Sequence, residues 1–305
     1  MKIAAITITY NDGYKFKEWC QWYEEYKDEI DIHIIVDNHS VPEYLQQVKN
    51  YFKNSIIIER TSNGGCTGAY NDGIRFALSD SEVDAIMLIG NDVKLEKGGT
   101  NKLYEFLCSD LHYGMVSPVI LKKDSEIIEI FGTRINLKTL AFEHQNVNVP
   151  LANQKNDIEL SDGLPGGMNM AKRNFYEVVG LQDEYLFMYS DEVDMGIRAK
   201  KHGFLMVVTK NILSWHQHIN PKHSVARSPL AGYLMGRNEI YLAKKHFGFY
   251  IVWSTIRFGI KRALIFNVGA LVKKKAYDEK RFCLNYMIGV FAGLFSISKI
   301  PFIKK

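Results

Sequence analysis

The sequence predicts an α/β protein with a mostly parallel central sheet, flanking helices and a helical C-terminal extension. Three observations predict it. Short β-branched runs alternate with helix-length stretches over residues 1–120, each early run ends in a polar cluster, and the chain beyond residue 247 combines basic charge with long apolar stretches. Alternation of this kind argues for parallel strands joined by crossover helices.

The runs fall at 2–10 (KIAAITITY), 30–37 (IDIHIIVD), 55–60 (SIIIER) and 84–89 (DAIMLI), followed by MVSPVIL at 115–121. Helices are expected between them at about 14–28, 42–53 and 68–80. From 138 to 160 the pattern loses periodicity, as a long loop or a weak hairpin does. In 164–181, Gly166 and Gly167 form a tight turn and a short helix begins near Lys172. Over 185–204 an apolar entry leads into another helix. Its first turn holds Asp191, Glu192 and Asp194 and its last holds Lys200, Lys201 and His202, an order that suits the helix dipole. Gly203 is the expected C-terminal cap, and Asp194 and Arg198, at i and i+4, are expected to pair. A strand, FLMVVT, follows.

At 305 residues, 47% apolar and 24% charged, the chain has an ordinary globular composition and the length for one large domain or two smaller ones. Cys20, Cys66, Cys108 and Cys283 lack metal-ligand or redox spacing, so reduced thiols in a cytoplasm are expected. The opening MKIAAITITYNDG has too short an apolar run for a signal peptide and reads as a first strand. The net charge of +4 is uneven: residues 248–305 carry 11 Lys and Arg against Asp278 and Glu279, which leaves residues 1–247 net acidic. A slightly acidic body with a basic, aromatic tail points to an anionic surface as partner, not to nucleic acid.

The strand ends carry the chemistry. The first closes on Thr9, Tyr10, Asn11 and Asp12, and the second on Asp37, Asn38, His39 and Ser40. The third leads into Ser62, Asn63, Gly64, Gly65, Cys66, Thr67 and Gly68, and the fourth stops at Gly90, Asn91 and Asp92. One polar strand end is a turn. Four on the same edge of a parallel sheet make a cleft for a polar ligand, where open α/β sheets place theirs.

These pieces, in this order, resemble glycosyltransferase family 2, a class of inverting enzymes with the GT-A (Rossmann-like) fold. The matching segments are TITYN at 7–11, VDNHS at 36–40, NGGCTGAYNDGI at 63–74, IGNDV at 89–93, PGGMNMAKR at 165–173 and YSDEVDMGIRAKKHG at 189–203. SWHQH at 214–218 and YLMGRNEIYLAKKHF at 233–247 also fit. The style is that of bacterial enzymes that add rhamnose, galactofuranose or similar sugars to surface polysaccharides. The resemblance covers residues 1–247, expected as the catalytic domain, with 248–305 as the extension.

The resemblance implies a nucleoside-diphosphate sugar donor, dTDP- or UDP-linked. Asp37 would accept hydrogen bonds from the base, and Thr9 and Asn11 would line the same pocket. Gly64, Gly65 and Gly68 would let the backbone approach the nucleotide, while Asn63, Asn71 and Asn91 add side-chain hydrogen bonds and Arg198 faces the diphosphate. A divalent cation, Mg²⁺ or Mn²⁺, would neutralise the leaving diphosphate. Of the family's two metal-motif positions one is Gly90 and the other Asp92, so His216 or His218 is expected to complete the site. The acceptor loop would be Gly166, Gly167 and Met168. The family's Glu-Asp pair stands reversed, as Asp191 and Glu192; the base position is Glu192, and the reversal leaves open which carboxylate takes the acceptor's proton.

In the tail, Arg257, Lys261 and Arg262 cluster on one side of a helix over 249–272, with Trp253, Ile256, Ile260, Leu264 and Val268 on another, as in an interfacial helix. Lys273–Lys275 suit anionic headgroups. The uncharged stretch 282–298 spans about 25 Å as a helix, short of the roughly 30 Å hydrocarbon core. The expectation is a peripheral enzyme at the inner face of the cell membrane with a lipid-linked glycan acceptor. Two other functions compete: a nucleotidyltransferase, against which stands the lack of a basic Gly-rich loop near the first strand, and a donor-binding subunit without catalysis. Nothing in the sequence fixes an oligomeric state.

Overall fold

Four apolar strands lie parallel at the centre of the computed structural model, in the spatial order β4 (Ala85–Ile89), β1 (Ile3–Thr9), β2 (Ile32–Asp37) and β3 (Ile56–Glu59). The structure describes residues 1–136, 141–164, 166–217, 228–272 and 277–301. The helices that return the chain between the strands are α1 (Phe16–Tyr26), α2 (Pro42–Tyr51) and α3 (Gly65–Ser79). Both sheet faces are buried. Ala4 and Ile6 join one apolar cluster and Ile3 and Ala5 the other, which is why these runs are apolar throughout and do not alternate. Gly73 lets α3 lie close on the sheet, since a Cβ there would overlap Ile6 and approach Val36.

Beyond β4 the sheet becomes mixed. β11 (Met168–Lys172) runs antiparallel to both β4 and β6 (Tyr113–Lys122), and β12 (Leu205–His216) runs parallel to β6. β5 (Val93–Leu95) pairs antiparallel with the end of β12, placing His216 opposite Val93. β7 (Ile128–Ile130) and β10 (Ile158–Ser161) extend this half. The weakly patterned 138–160 stretch supplies β9 (Ala141–His144), which pairs with β8 (Thr133–Asn136); residues 137–140 lie outside the described set. MNMAK is a strand, so the short helix, α5 (Arg173–Val179), starts at Arg173. The sequence did not announce α4 (Gly99–Cys108). Its N-terminus carries two glycines, Gly98 at φ 78° and Gly99, which hide a helix that buries Leu103 and Leu107.

Two units emerge. The first holds Met1–Arg134, His144–Glu184 and Met195–His218; the second holds Ile135–Glu143, Tyr185–Asp194 and Ile219–Lys305. Helix α6 (Asp191–Lys201) contributes its first turn to the second unit and the rest to the first. In the second unit α7 (Pro229–His246), α8 (Phe249–Val272) and α9 (Tyr277–Leu294) pack together, so α7 groups with the extension despite preceding residue 248. The α7–α9 crossing is built on glycine. A Cβ on Gly232 or Gly236 would strike the carbonyl of Phe282 or Tyr286, and one on Gly289 or Gly293 would strike that of Tyr233 or Arg237. At the same contact Glu239 is buried between Arg262 (2.9 Å) and the Tyr286 hydroxyl (2.8 Å).

A candidate donor site at the carboxyl edge of the sheet

The parallel register aligns the strand ends: Thr9 stands beside Asp37, and Asp37 beside Glu59. Asp37 is 1% exposed. Its Oδ2 accepts from the Ser40 backbone N–H (3.0 Å), and its Oδ1 is buried with no hydrogen-bond partner among the described residues. A buried carboxylate oxygen left unpaired costs free energy unless a ligand supplies a donor. Thr9 is buried, with its hydroxyl 2.5 Å from that of Tyr44. Asn11 sits in the left-handed region (φ 54°), where its N–H donates to Ser40 Oγ (3.0 Å) and its Oδ1 accepts from Val41 N–H (2.9 Å). It thereby ties the ends of β1 and β2 together.

Past β3, Asn63 Oδ1 accepts from Asn38 Nδ2 (3.0 Å) and from the Gly65 N–H (2.9 Å), which closes the turn into α3. Gly65 needs its glycine, at φ 71°. Gly64 and Gly68 are open for a reason the sequence did not show: Arg60 lies against both, and its guanidinium donates to Gly68 O (2.7 Å) and pairs with Asp72. Their space is filled by this side chain. Asn71, expected at the donor, clamps a loop instead. Its Nδ2 donates to Gln182 O (2.9 Å) and Glu184 Oε1 (3.0 Å), and its Oδ1 accepts from Gln182 N–H (2.9 Å). Arg198 likewise donates to the carbonyls of Val179 (2.5 Å) and Leu181 (2.8 Å), holding the chain after α5.

At the end of β4 a charged cluster gathers. Asn91 Nδ2 donates to Asp12 Oδ2 (2.8 Å) and Thr9 Oγ1 (3.3 Å). Lys15 Nζ lies 2.7 Å from Asp92 Oδ2, 3.5 Å from Asn91 Oδ1 and 3.8 Å from Asp12 Oδ1. On the other side, His216 Nε2 is 3.6 Å from Asp92 Oδ1 and its Nδ1 is 2.9 Å from Glu129 Oε1. Burial opposes ionisation of all three groups. It is overcome: hydrogen bonds to Asp92 and Glu129 push the His216 imidazole up to about 10, while His216 and Lys15 hold the Asp92 carboxyl well below the carboxylate range. Lys15 was not singled out in the sequence. Its signal was a lysine three residues past Asp12, just ahead of α1.

A divalent cation at Asp92 does not fit this arrangement. Lys15 occupies one carboxylate oxygen and His216 faces the other. At Gly90 a Cβ would lie 2.7 Å from Asp92 Oδ1 and 3.4 Å from Gly167 O, so an acid at this position would require the Asp92 carboxylate to move. Among the described residues no three His, Cys, Asp or Glu side chains converge to hold a metal ion. His218, the alternative ligand, lies outside the described residues.

The expected acceptor loop divides. Gly166 is exposed and Gly167 half-buried, its carbonyl accepting from Gly90 N–H (2.8 Å). Met168 opens β11 beside Ile89 of β4, and its side chain is fully buried in the apolar core. Asp191 and Glu192 open α6, in the second unit. The loop before them carries three residues in the left-handed region, Phe187, Tyr189 and Ser190. Asn238 of α7 holds it by donating to the carbonyls of Leu186 (3.1 Å), Met188 (3.0 Å) and Tyr189 (2.9 Å), and Arg237 donates to Tyr185 O (2.6 Å). Asp194 of α6, fully buried, meets His246 (2.6 Å) and Lys245 (2.7 Å) of α7. Burial, and then the Asp194 charge, raise the Asp191 carboxyl to about 6.

Parallel strands that stop level with one another, an antiparallel strand inserted beyond them and a buried carboxylate on the shared edge define an α/β protein of the GT-A class. Solved structures agree on the fold. They include GalNAc-T7 with UDP, GalNAc and Mn²⁺ (TM-score 0.62, 10% identity, 99% of this chain and 58% of that one). A mannosyltransferase of Pyrobaculum calidifontis in complex with GDP-Man and Mn²⁺ gives 0.58 (13% identity, 97% and 88%). S. aureus TarS 1-349 in complex with UDP-GlcNAc gives 0.57 (14% identity, 96% and 81%). The chain belongs to glycosyl transferase family 2, whose model matches residues 17–178, more than half of its length. Curated relatives include a low-salt glycan biosynthesis hexosyltransferase of Haloferax volcanii, 24% identical over 55% of this chain and 53% of that protein. A dTDP-rhamnosyl transferase of Shigella flexneri is 22% identical over 80% of each. The match thus spans about half the length of the archaeal relative.

Proposed function

We propose that this protein is an inverting glycosyltransferase. It moves a sugar from a dTDP- or UDP-linked donor to a hydroxyl of a growing, lipid-linked cell-surface glycan. The observation that carries the donor assignment is Asp37 Oδ1, buried and without a partner among the described residues at the carboxyl edge of the sheet. A carboxylate only accepts, so it favours a base that presents a ring N–H, as uracil, thymine and guanine do, over adenine and cytosine; the choice of uracil or thymine among these rests on the family resemblance. Thr9 and Asn11 shape the pocket wall beside it. The acceptor oxygen attacks the anomeric carbon from the face opposite the diphosphate. The carbon–oxygen bond to the β-phosphate breaks, its electron pair leaves with the diphosphate, and the acceptor proton passes to the Asp191–Glu192 pair, with Glu192 as the receiving base.

The site is proposed for residues 1–247 and membrane attachment for 248–305. The support for attachment is an exposed apolar face on α8, with Phe249 84%, Tyr250 80% and Trp253 52% exposed, interleaved with exposed Arg257 and Lys261. Among the described residues no helix is long and apolar enough to cross a membrane, so the proposal is a peripheral enzyme at the inner face of the cell membrane. Slow hydrolysis of a panel of UDP-, dTDP-, GDP-, CDP- and ADP-sugars tests the reading. UDP- or dTDP-sugars should be cleaved, and Asp37→Ala should abolish the preference. Turnover of none of them, or a preference unchanged in Asp37→Ala, overturns it.

A further inference from the structure

We propose that Lys15 supplies the positive charge that holds and stabilises the leaving diphosphate, in the place a divalent cation takes in metal-dependent transfer. The inference rests on the donor reading and concerns the other end of the same ligand. Three features of the carboxyl edge carry it.

The first is position. β1 lies between β2 and β4, so the Asp37 end and the Asp92 end are two strands apart, about 10 Å at ordinary strand spacing. A base at Asp37 therefore directs the ribose and phosphates across Thr9 toward Asn91, Asp92 and Lys15. The second is the state of Lys15. Its side chain is 9% exposed, and a buried ammonium at a ligand-binding edge has to be held by opposite charge. An ammonium has three N–H donors. Asp92 takes one at 2.7 Å, the contacts to Asn91 and Asp12 are long, at 3.5 and 3.8 Å, and the Tyr14 ring lies 5.5 Å away as a further neighbour. That geometry leaves donor capacity for phosphate oxygens while Asp92 fixes the ammonium in place. The third is Gly90. A side chain there would meet Asp92 Oδ1 at 2.7 Å from its first carbon, so a second acid at this position would have to displace the Asp92 carboxylate from the place where Lys15 holds its other oxygen. The glycine and the lysine are two parts of one arrangement.

Lys15 forms no covalent bond in this scheme. As the anomeric carbon–oxygen bond breaks, the electron pair goes to the diphosphate, and the Lys15 N–H groups take up hydrogen bonds to the added negative charge. A preorganised cation aimed at developing charge is worth more in a desolvated pocket than in water.

Calorimetric titration of the full chain with UDP, dTDP, uridine and thymidine, in EDTA and in Mn²⁺, tests the proposal. Expected is diphosphate affinity in EDTA equal to that in Mn²⁺. Lys15→Met should weaken diphosphate binding by about 10- to 100-fold, the worth of one charge-assisted hydrogen bond, and leave nucleoside binding unchanged. Lys15→Arg should restore most of the loss. A diphosphate that binds only with Mn²⁺, or a folded Lys15→Met protein with wild-type diphosphate affinity, overturns the proposal and leaves the donor reading standing. The EDTA comparison needs no variant, so it decides even if Lys15→Met fails to fold. Absence of binding by nucleosides and diphosphates alike, in both conditions, overturns the donor reading and this inference with it.

Discussion

Asp191 sits where its own charge is unwelcome. Burial raises its carboxyl to about 6, and the Asp194 charge adds to the effect. The consequences for rate and stability run in opposite directions. A carboxyl pair that must accept a proton works only when ionised, so transfer should fall as pH drops through about 6. Stability moves the other way. The folded-state value lies above the ordinary carboxylate one, so the stabilising protonated form is fully present below that ordinary range and is lost as pH rises through about 6. A pH–rate profile flat down to pH 5 would remove Asp191 from the pair. Glu192→Gln should lower the transfer rate at least about a hundredfold with donor affinity kept, as for loss of a general base. If Asp191→Asn is the crippling change and Glu192→Gln is mild, the base is Asp191. At this scale the sequence shows which residues gather at the sheet edge, because Asp37, Asn91, Asp92 and His216 are polar residues at the ends of apolar strands. Asn71, Arg198 and Met168 were assigned to ligands through the family resemblance of the segments that hold them. What they bind is set by loops distant in sequence or, for Met168, by the alternation of β11. Lys15 was missed because a lysine ahead of a helix looks solvated until two strand ends are brought around it.

The elements were legible where one pattern has one meaning. Runs such as IAAITIT and IHIIVD are strands buried on both faces, and nothing else in the chain competes for them. The stretch 282–298 is different, since an uncharged apolar helix suits a membrane surface and a protein core equally. The structure gives it both kinds of face: Cys283, Tyr286 and Val290 are buried, while Leu284, Ile288 and Phe291 are exposed. Its glycines decide the buried face. Gly289→Val should destabilise the second unit by about 1–3 kcal/mol, the usual cost of forcing bulk into a packed contact, because backbone carbonyls cannot move aside. Gly269→Ala on α8, with nothing within 4 Å, should be neutral or stabilising by up to about 1 kcal/mol through helix propensity. Denaturant midpoints by circular dichroism compare the two; equal effects would mean that the α7–α9 crossing is not closely packed. The same crossing means that deleting 249–305 would uncover α7 and disturb Asn238 and the loop it holds, so truncation mixes membrane release with local unfolding.

For the whole molecule, charge and apolar exposure fall on the same segment, and point substitutions test that pairing better than deletion does. Arg262, grouped with the outward cations in the sequence, turns inward to Glu239 and stacks on Phe266 and Tyr286, with its centre 5.3 and 5.2 Å from their rings. It belongs to the core of the second unit. Lys273–Lys275 lie outside the described residues. The outward set is Arg257 and Lys261 beside Trp253, Leu264, Ile265 and Val268 on α8, with Lys280 and Arg281 exposed on α9. An anionic bilayer matches both parts of this face, the cations through its headgroups and the apolar residues through its acyl boundary. A protein partner would have to bring acidic and apolar surface together in the same pattern. The expected outcome is that the full chain floats with anionic vesicles and not with neutral ones. Added salt should weaken that binding, because the attraction is screened within a Debye length of about 8–10 Å. Arg257→Glu with Lys261→Glu should reduce flotation at low salt, and Phe249→Ser with Trp253→Ser should reduce it at all salts, since burial is not screened. All four positions are exposed, so these variants should keep the wild-type circular dichroism and nucleotide affinity. Flotation that ignores lipid charge, or that survives both double substitutions, would assign the face to a different partner.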